Sequence, residues 1–132
     1  MYDIAERDQL MLSEFSTPFG DKLLASDRWV RLAGKIDWEK AENRYAEHFS
    51  SSGKKAISCR VAYAALIIKE MLSLSDKETV TQILENPYLQ YFCGYKRMLR
   101  RRPFSASSMS SFRKRIPKEE YSKKYIKSLI KW

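Results

Sequence analysis

Only one histidine, His48, and two isolated cysteines, Cys59 and Cys93, occur in the 132 residues. With one imidazole and no CxxC spacing, a zinc or haem site has almost no ligands to draw on. The cysteines read as small core residues in a reducing cytoplasm, and His48 reads as a surface residue. Four glycines and four prolines argue against long flexible linkers. The apolar run Ala62–Ile68 is far too short to span a bilayer. The opening MYDIAERDQL has no basic region followed by an apolar block, so no secretory signal is visible. Carboxylates are not gathered at metal-ligand spacing, which counts against a small hydrolase or nuclease. Glu119 and Glu120 read as surface charges near a helix start.

What is present is enough apolar residue, 44%, for a core, with 31% charged residues to keep one domain soluble. The charge is divided along the chain. Residues 1–95 carry 12 Lys and Arg against 14 Asp and Glu, a balance of −2; residues 96–132 carry 13 against 2, a balance of +11, which together make the net +9. A nearly neutral body followed by a strongly basic segment points to a polyanion partner.

The stretch from Arg60 to Gly94 organises the body. Val61, Ala62, Ala64, Ala65, Leu66, Ile67, Ile68, Met71 and Leu72 make a helix apolar on almost every side, interrupted by Tyr63, Lys69 and Glu70, and such a helix belongs at the centre of a fold. Ser75 and Glu78 have capping-box spacing and start a second helix with Val80, Ile83 and Leu84 as its stripe. Asn86-Pro87 ends it and starts a third, closed by Gly94. Upstream, Ser26 or Asp27 caps a short helix with Trp29, Val30, Leu32 and Ala33, ending near Gly34. Asp37 caps another from Trp38 to Phe49, with Trp38, Ala41, Tyr45, Ala46 and Phe49 at helical spacing. Trp29 and Trp38 read as core anchors because each sits on an apolar stripe. Leu10, Met11, Leu12 and Phe15 suit a short helix or an extended arm, Pro18-Phe19-Gly20 breaks any helix there, and Ser50–Lys55 is a polar loop.

The basic segment begins with Tyr95–Arg102, YKRMLRRR, a loop holding Lys96, Arg97, Arg100, Arg101 and Arg102, suited to phosphate oxygens. Ser105–Ile116 then forms a helix stopped by Pro117. On a wheel of about 100° per residue, Met109, Phe112 and Ile116 fall on one side and Ser107, Ser110, Ser111, Lys114 and Arg115 on the other. Small hydroxyls let a helix approach a groove wall and bond to base edges or phosphates. Ser107 near the helix start offers backbone N–H groups to a phosphate. Arg113, Lys118 and Lys124 join the loop as expected phosphate contacts. Residues 118–132 read as one amphipathic helix, with Tyr121, Tyr125, Leu129 and Ile130 apolar. It ends at Trp132 without a stop signal, and the natural chain is expected to continue.

PYLQYFCGY at Pro87–Tyr95, preceded by LSDKETVTQILEN and followed by SSFRKRI at Ser110–Ile116, resembles the N-terminal domain of bacterial insertion-sequence transposases. Asp27–Ala33, Ile36-Asp37-Trp38 and Arg60–Glu70 agree with that pattern, so the resemblance covers roughly Phe19 to Ile116. Asp37 departs from it, since the family often has Pro before the Trp; this alters only a helix start.

The resemblance implies an all-α, compact multi-helix bundle with a helix-turn-helix-like part, in which residues 1–18 are an arm, 19–116 the helical domain, and 117–132 a basic connection to a missing catalytic domain. It implies a DNA-binding module acting in DNA transposition and recombination. The expected partner is double-stranded DNA bearing the terminal inverted repeats of a mobile element, in the bacterial cytoplasm and at the nucleoid. In the family an RNase H-like domain with an Asp-Asp-Glu triad follows. Nothing in this chain builds that sheet, so no catalytic residue, no metal and no cofactor is expected here; magnesium belongs to the missing domain, and neither a membrane nor a small-molecule substrate is expected. The alternative is a protein–protein module that forms a homodimer for synapsis, with Tyr88, Tyr91, Phe92 and Tyr95 as the interface.

Overall fold

The computed structural model describes residue 15, residues 23–46 and residues 58–132. Within them run seven α-helices: α1 (Arg28–Ala33), α2 (Trp38–Ala46), α3 (Cys59–Leu72), α4 (Asp76–Glu85), α5 (Pro87–Cys93), α6 (Ser108–Arg115) and α7 (Lys123–Leu129), with a 3₁₀ turn at Lys118–Glu120. No β-strand occurs among the described residues, and the fold is the expected all-α bundle. The expected features of residues 1–14, 16–22 and 47–57, among them the N-terminal arm, His48, Phe49 and the Ser50–Lys55 loop, lie outside them.

α3 is the hub: α2, α4, α5, α6 and α7 all pack on it. Its side chains from Cys59 through Ile68, and Met71, are buried, so over its first ten residues no face is left for water. Each large apolar side chain sealed this way stabilises the fold by roughly 1.5–3 kcal/mol. Ser58 caps the start through its Oγ, which accepts from the Val61 amide at 3.2 Å. Ser73 ends it at φ 54°, a left-handed conformation unusual for a residue with a Cβ. That turn lets α4 begin almost at once.

The expected caps form. Ser75 Oγ accepts from the Glu78 amide at 3.0 Å while Glu78 Oε1 accepts from the Ser75 amide at 2.9 Å. Asp27 Oδ1 accepts from Trp29 and Val30, Asp37 Oδ1 from Lys40 and Asn86 Oδ1 from Tyr88. Trp38 is fully buried, with its indole N–H donating to the Ala33 carbonyl at 2.9 Å. Its ring meets Phe92 and Tyr63 edge-on. Both tryptophans are core anchors as expected.

Two expectations need correction, and one burial was not anticipated. Tyr91 and Phe92 are buried, with Tyr88 and Tyr95 half-buried against the core. Most of the tyrosine cluster therefore belongs to the interior, and only Tyr88 and Tyr95 keep part of their surface exposed. Residues 118–132 are not one helix: Ser122 caps α7 by accepting from the Tyr125 amide, which restarts the register after the 3₁₀ turn. As a result Tyr125 is exposed, while Tyr121 and Ile126 face the core. Arg60, at the start of the central helix, is buried. Its Nε–H donates to the Phe92 carbonyl at 3.1 Å and its Nη2–H to the Tyr91 carbonyl at 3.3 Å. The guanidinium carbon lies 4.5 Å from the Trp38 ring centroid. A cation that satisfies carbonyls at the C-terminal end of α5 is favoured there by the helix dipole, which is how the charge is tolerated inside.

Candidate nucleic-acid interface

α6 is held down by its apolar seam. Met109 is fully buried, and Phe112 and Ile116 are buried beside it. Phe104, just upstream, meets Phe112 edge-on with centroids 5.2 Å apart. The other face carries Ser107, Ser110, Ser111 and Lys114, all exposed. They stand at i, i+3, i+4 and i+7, which is one helical face. This is the orientation expected from the wheel.

Two of the expected α6 contacts are spent inside the molecule. Arg113 forms a forked pair with Asp76 at the first turn of α4, Nη1–H to Oδ1 at 2.7 Å and Nη2–H to Oδ2 at 3.0 Å. It also donates to Ser110 Oγ at 3.2 Å. These bonds, with the charges of Arg113 and Lys69, hold the Asp76 carboxyl below the usual carboxylate range. Arg113 thus docks α6 against α4. Arg115 turns away from the serine face, its Nη1–H donating to the Tyr45 hydroxyl at 3.4 Å.

The helix start also differs from expectation. The amides of Ser108, Met109 and Ser110 donate to the carbonyls of Ser105, Ala106 and Ser107 at 3.0–3.3 Å. A tight leading turn consumes them, so Ser107 does not present free N–H groups there. Its hydroxyl instead lies 2.8 Å from Ser105 Oγ.

The arginine loop has a built foundation. Gln90 is fully buried in α5. Its Nε2–H donates to the Leu84 carbonyl at 3.0 Å, and its Oε1 accepts from the Leu99 amide at 2.7 Å. Met98 and Leu99 pack partly against the core. Lys96, Arg97, Arg100, Arg101 and Arg102 are exposed around these anchors. Gln90 was not singled out from the chain; its signal was a lone amide inside the apolar run Leu89–Cys93. Further on, Lys118 and Lys124 are exposed and line a shallow depression with Glu119, Ser122, Tyr125 and Ser128. Glu120 is not a simple surface charge: its carboxylate pairs with Arg44, and its carbonyl accepts from the Tyr63 hydroxyl.

Among the described residues no group of three or more His, Cys, Asp or Glu stands ready to hold a metal ion, and no helix is long and apolar enough to cross a membrane. The connection from α5 to α6, residues 94–107, is much longer than the three or four residues of a helix-turn-helix turn.

An all-helical body with a serine–lysine helix face next to a clamped arginine loop is the architecture described so far. Residues 18–115 match the family described as a transposase domain (DUF772), and the chain belongs to that family. It is also similar to a Rhizobium meliloti protein described as an uncharacterized protein, ORF8, in the nfe locus, 37% identical over 87 residues. That match covers 66% of this chain and 42% of the relative, so the chain spans less than half of the relative's length. No solved structure matches.

Proposed function

We propose that this chain is the DNA-binding module of a transposase, recognising the terminal inverted repeats of a mobile element. The exposed face Ser107, Ser110, Ser111 and Lys114 enters the major groove, with α6 as the reading helix. Lys96, Arg97, Arg100, Arg101, Arg102, Lys118 and Lys124 meet flanking phosphates. Arg113 and Arg115 support α6 from behind. Catalysis, with its magnesium, falls to an Asp-Asp-Glu domain elsewhere in the transposase, which acts at the bacterial nucleoid.

The observation that supports this reading is the sidedness of α6. Burial of Met109, Phe112 and Ile116 leaves small hydroxyls and Lys114 outward, a surface slim enough to enter a groove about 12 Å wide. The test is binding to duplexes carrying the terminal repeats over a salt series. Each phosphate contact contributes about −0.9 to the log–log slope. Substituting Ser111 or Lys114 relaxes sequence preference, whereas Arg101→Gln weakens all sequences alike and lowers the slope by about one contact. Binding indifferent to salt, or none at all, overturns the proposal.

A further inference from the structure

Arg100, Arg101 and Arg102 are the exposed arginines of one short span whose two ends are both fastened. On one side the Leu99 amide is held by Gln90. On the other, Phe104 is buried against Phe112 of α6. Pro103 follows directly and disfavours helical backbone at Arg102. Five other arginines are engaged: Arg28 over the Trp132 ring, Arg44 with Glu120, Arg60 beneath Trp38, Arg113 with Asp76 and Arg115 with Tyr45. Arg100, Arg101 and Arg102 have no such partner among the described residues. No Asp or Glu occurs in the sequence between Glu85 and Glu119 to neutralise them.

Building on the DNA-binding reading above, we infer that this span is a minor-groove reader for A/T-rich duplex DNA beside the site taken by α6. The five steps of chain from Arg102 to Ser107 reach at most about 17 Å, so Arg102 stays within about one and a half major-groove widths of the α6 start. A chain leading into a helix seated in the major groove must cross a phosphate ridge, and the adjoining minor groove lies across it. A/T tracts narrow that groove and concentrate negative potential there. Arginine sheds its hydration more readily than lysine, so it is favoured for insertion while lysine serves equally well at open phosphates. Fixed ends remove part of the ordering cost that a free arm would meet on binding.

The test uses the full chain and two duplexes of equal length, one with a central AAATTT tract and one of G/C only, read by fluorescence anisotropy at fixed salt. The expected result is tighter binding of the A/T duplex by about fivefold or more, displaced by the minor-groove ligand netropsin. Combined Arg100→Lys, Arg101→Lys and Arg102→Lys keeps charge, melting temperature and salt slope but abolishes the preference. Equal binding of both duplexes, or a lysine variant that retains the preference, overturns the minor-groove assignment and leaves DNA binding standing. Failure to bind either duplex overturns this inference, whereas the DNA reading itself falls only if duplexes carrying the terminal repeats are not bound either.

Discussion

The side chain of Arg60 fills the space that a Cβ on Gly94 would need. A Cβ built there lies 2.9 Å from Arg60 Cδ, and Gly94 sits at φ 96°. Arg60 has little freedom to move aside, since its guanidinium is bound to the carbonyls of Tyr91 and Phe92. Gly94→Ala therefore combines left-handed strain with a clash and destabilises by about 1–3 kcal/mol, measured by urea unfolding. Arg60→Ala removes the guanidinium donor from the Phe92 and Tyr91 carbonyls, of which Tyr91 keeps the Gly94 amide, and costs a similar amount. Together the two changes cost less than their sum, because the second removes the atom the first collides with.

The Asp76–Arg113 pair has an acid signature. Hydrogen bonds from Arg113 lower the folded-state pKa of Asp76, so the pair's contribution is present in full above the unfolded value of about 4. It is lost as pH falls through the lower folded value. Asp76→Asn is expected to lower stability at pH 7 by at most about 1 kcal/mol, given the exposure of both partners. The gap between variant and parent closes in denaturation curves taken below pH 3.

Gln90 clamps the arginine loop without touching its charges. Gln90→Met fills the volume but leaves the Leu84 carbonyl and the Leu99 amide without their partner, at a cost of about 1–3 kcal/mol. Hydrogen exchange at the Leu99 amide accelerates well beyond that of the α3 core. DNA affinity falls for every sequence, because the cations keep their charge and lose their fixed position.

The two cysteines are chemically silenced by burial. Desolvation pushes the thiols of Cys59 and Cys93 up to about 12. In the folded protein at pH 8 neither reacts appreciably with a thiol reagent, and both react in denaturant. Because the folded values are raised, stability is unaffected below about pH 9 and declines from there toward pH 12. A double Cys→Ser variant flattens that alkaline decline in unfolding experiments.

Much of the architecture could be read locally. Caps at Asp27, Asp37, Ser75 and Asn86 act over two or three residues, so the chain order alone places the helix starts. The apolar α3 and the seam of α6 follow from periodicity, which is why Met109 and Phe112 were placed inward and Ser110, Ser111 and Lys114 outward. Where a short-range rule was missed, in the Ser122 cap that splits the last segment, Tyr125 was expected on the apolar side and is exposed, while Ile126 takes the buried position.

Residue types and their spacing by themselves determined the helices up to α6, the neutral-to-basic division of the chain and the outward face of α6. Only tertiary packing decided that Arg60 lies inside beneath Trp38, that Arg113 is spent on Asp76, and that Gln90 grips the arginine loop. Each of those outcomes depends on a partner distant along the chain, 31 residues for Arg60 and Tyr91 and 37 for Arg113 and Asp76. A polar side chain's role is set by which unsatisfied group the fold brings to it, and no local pattern carries that information.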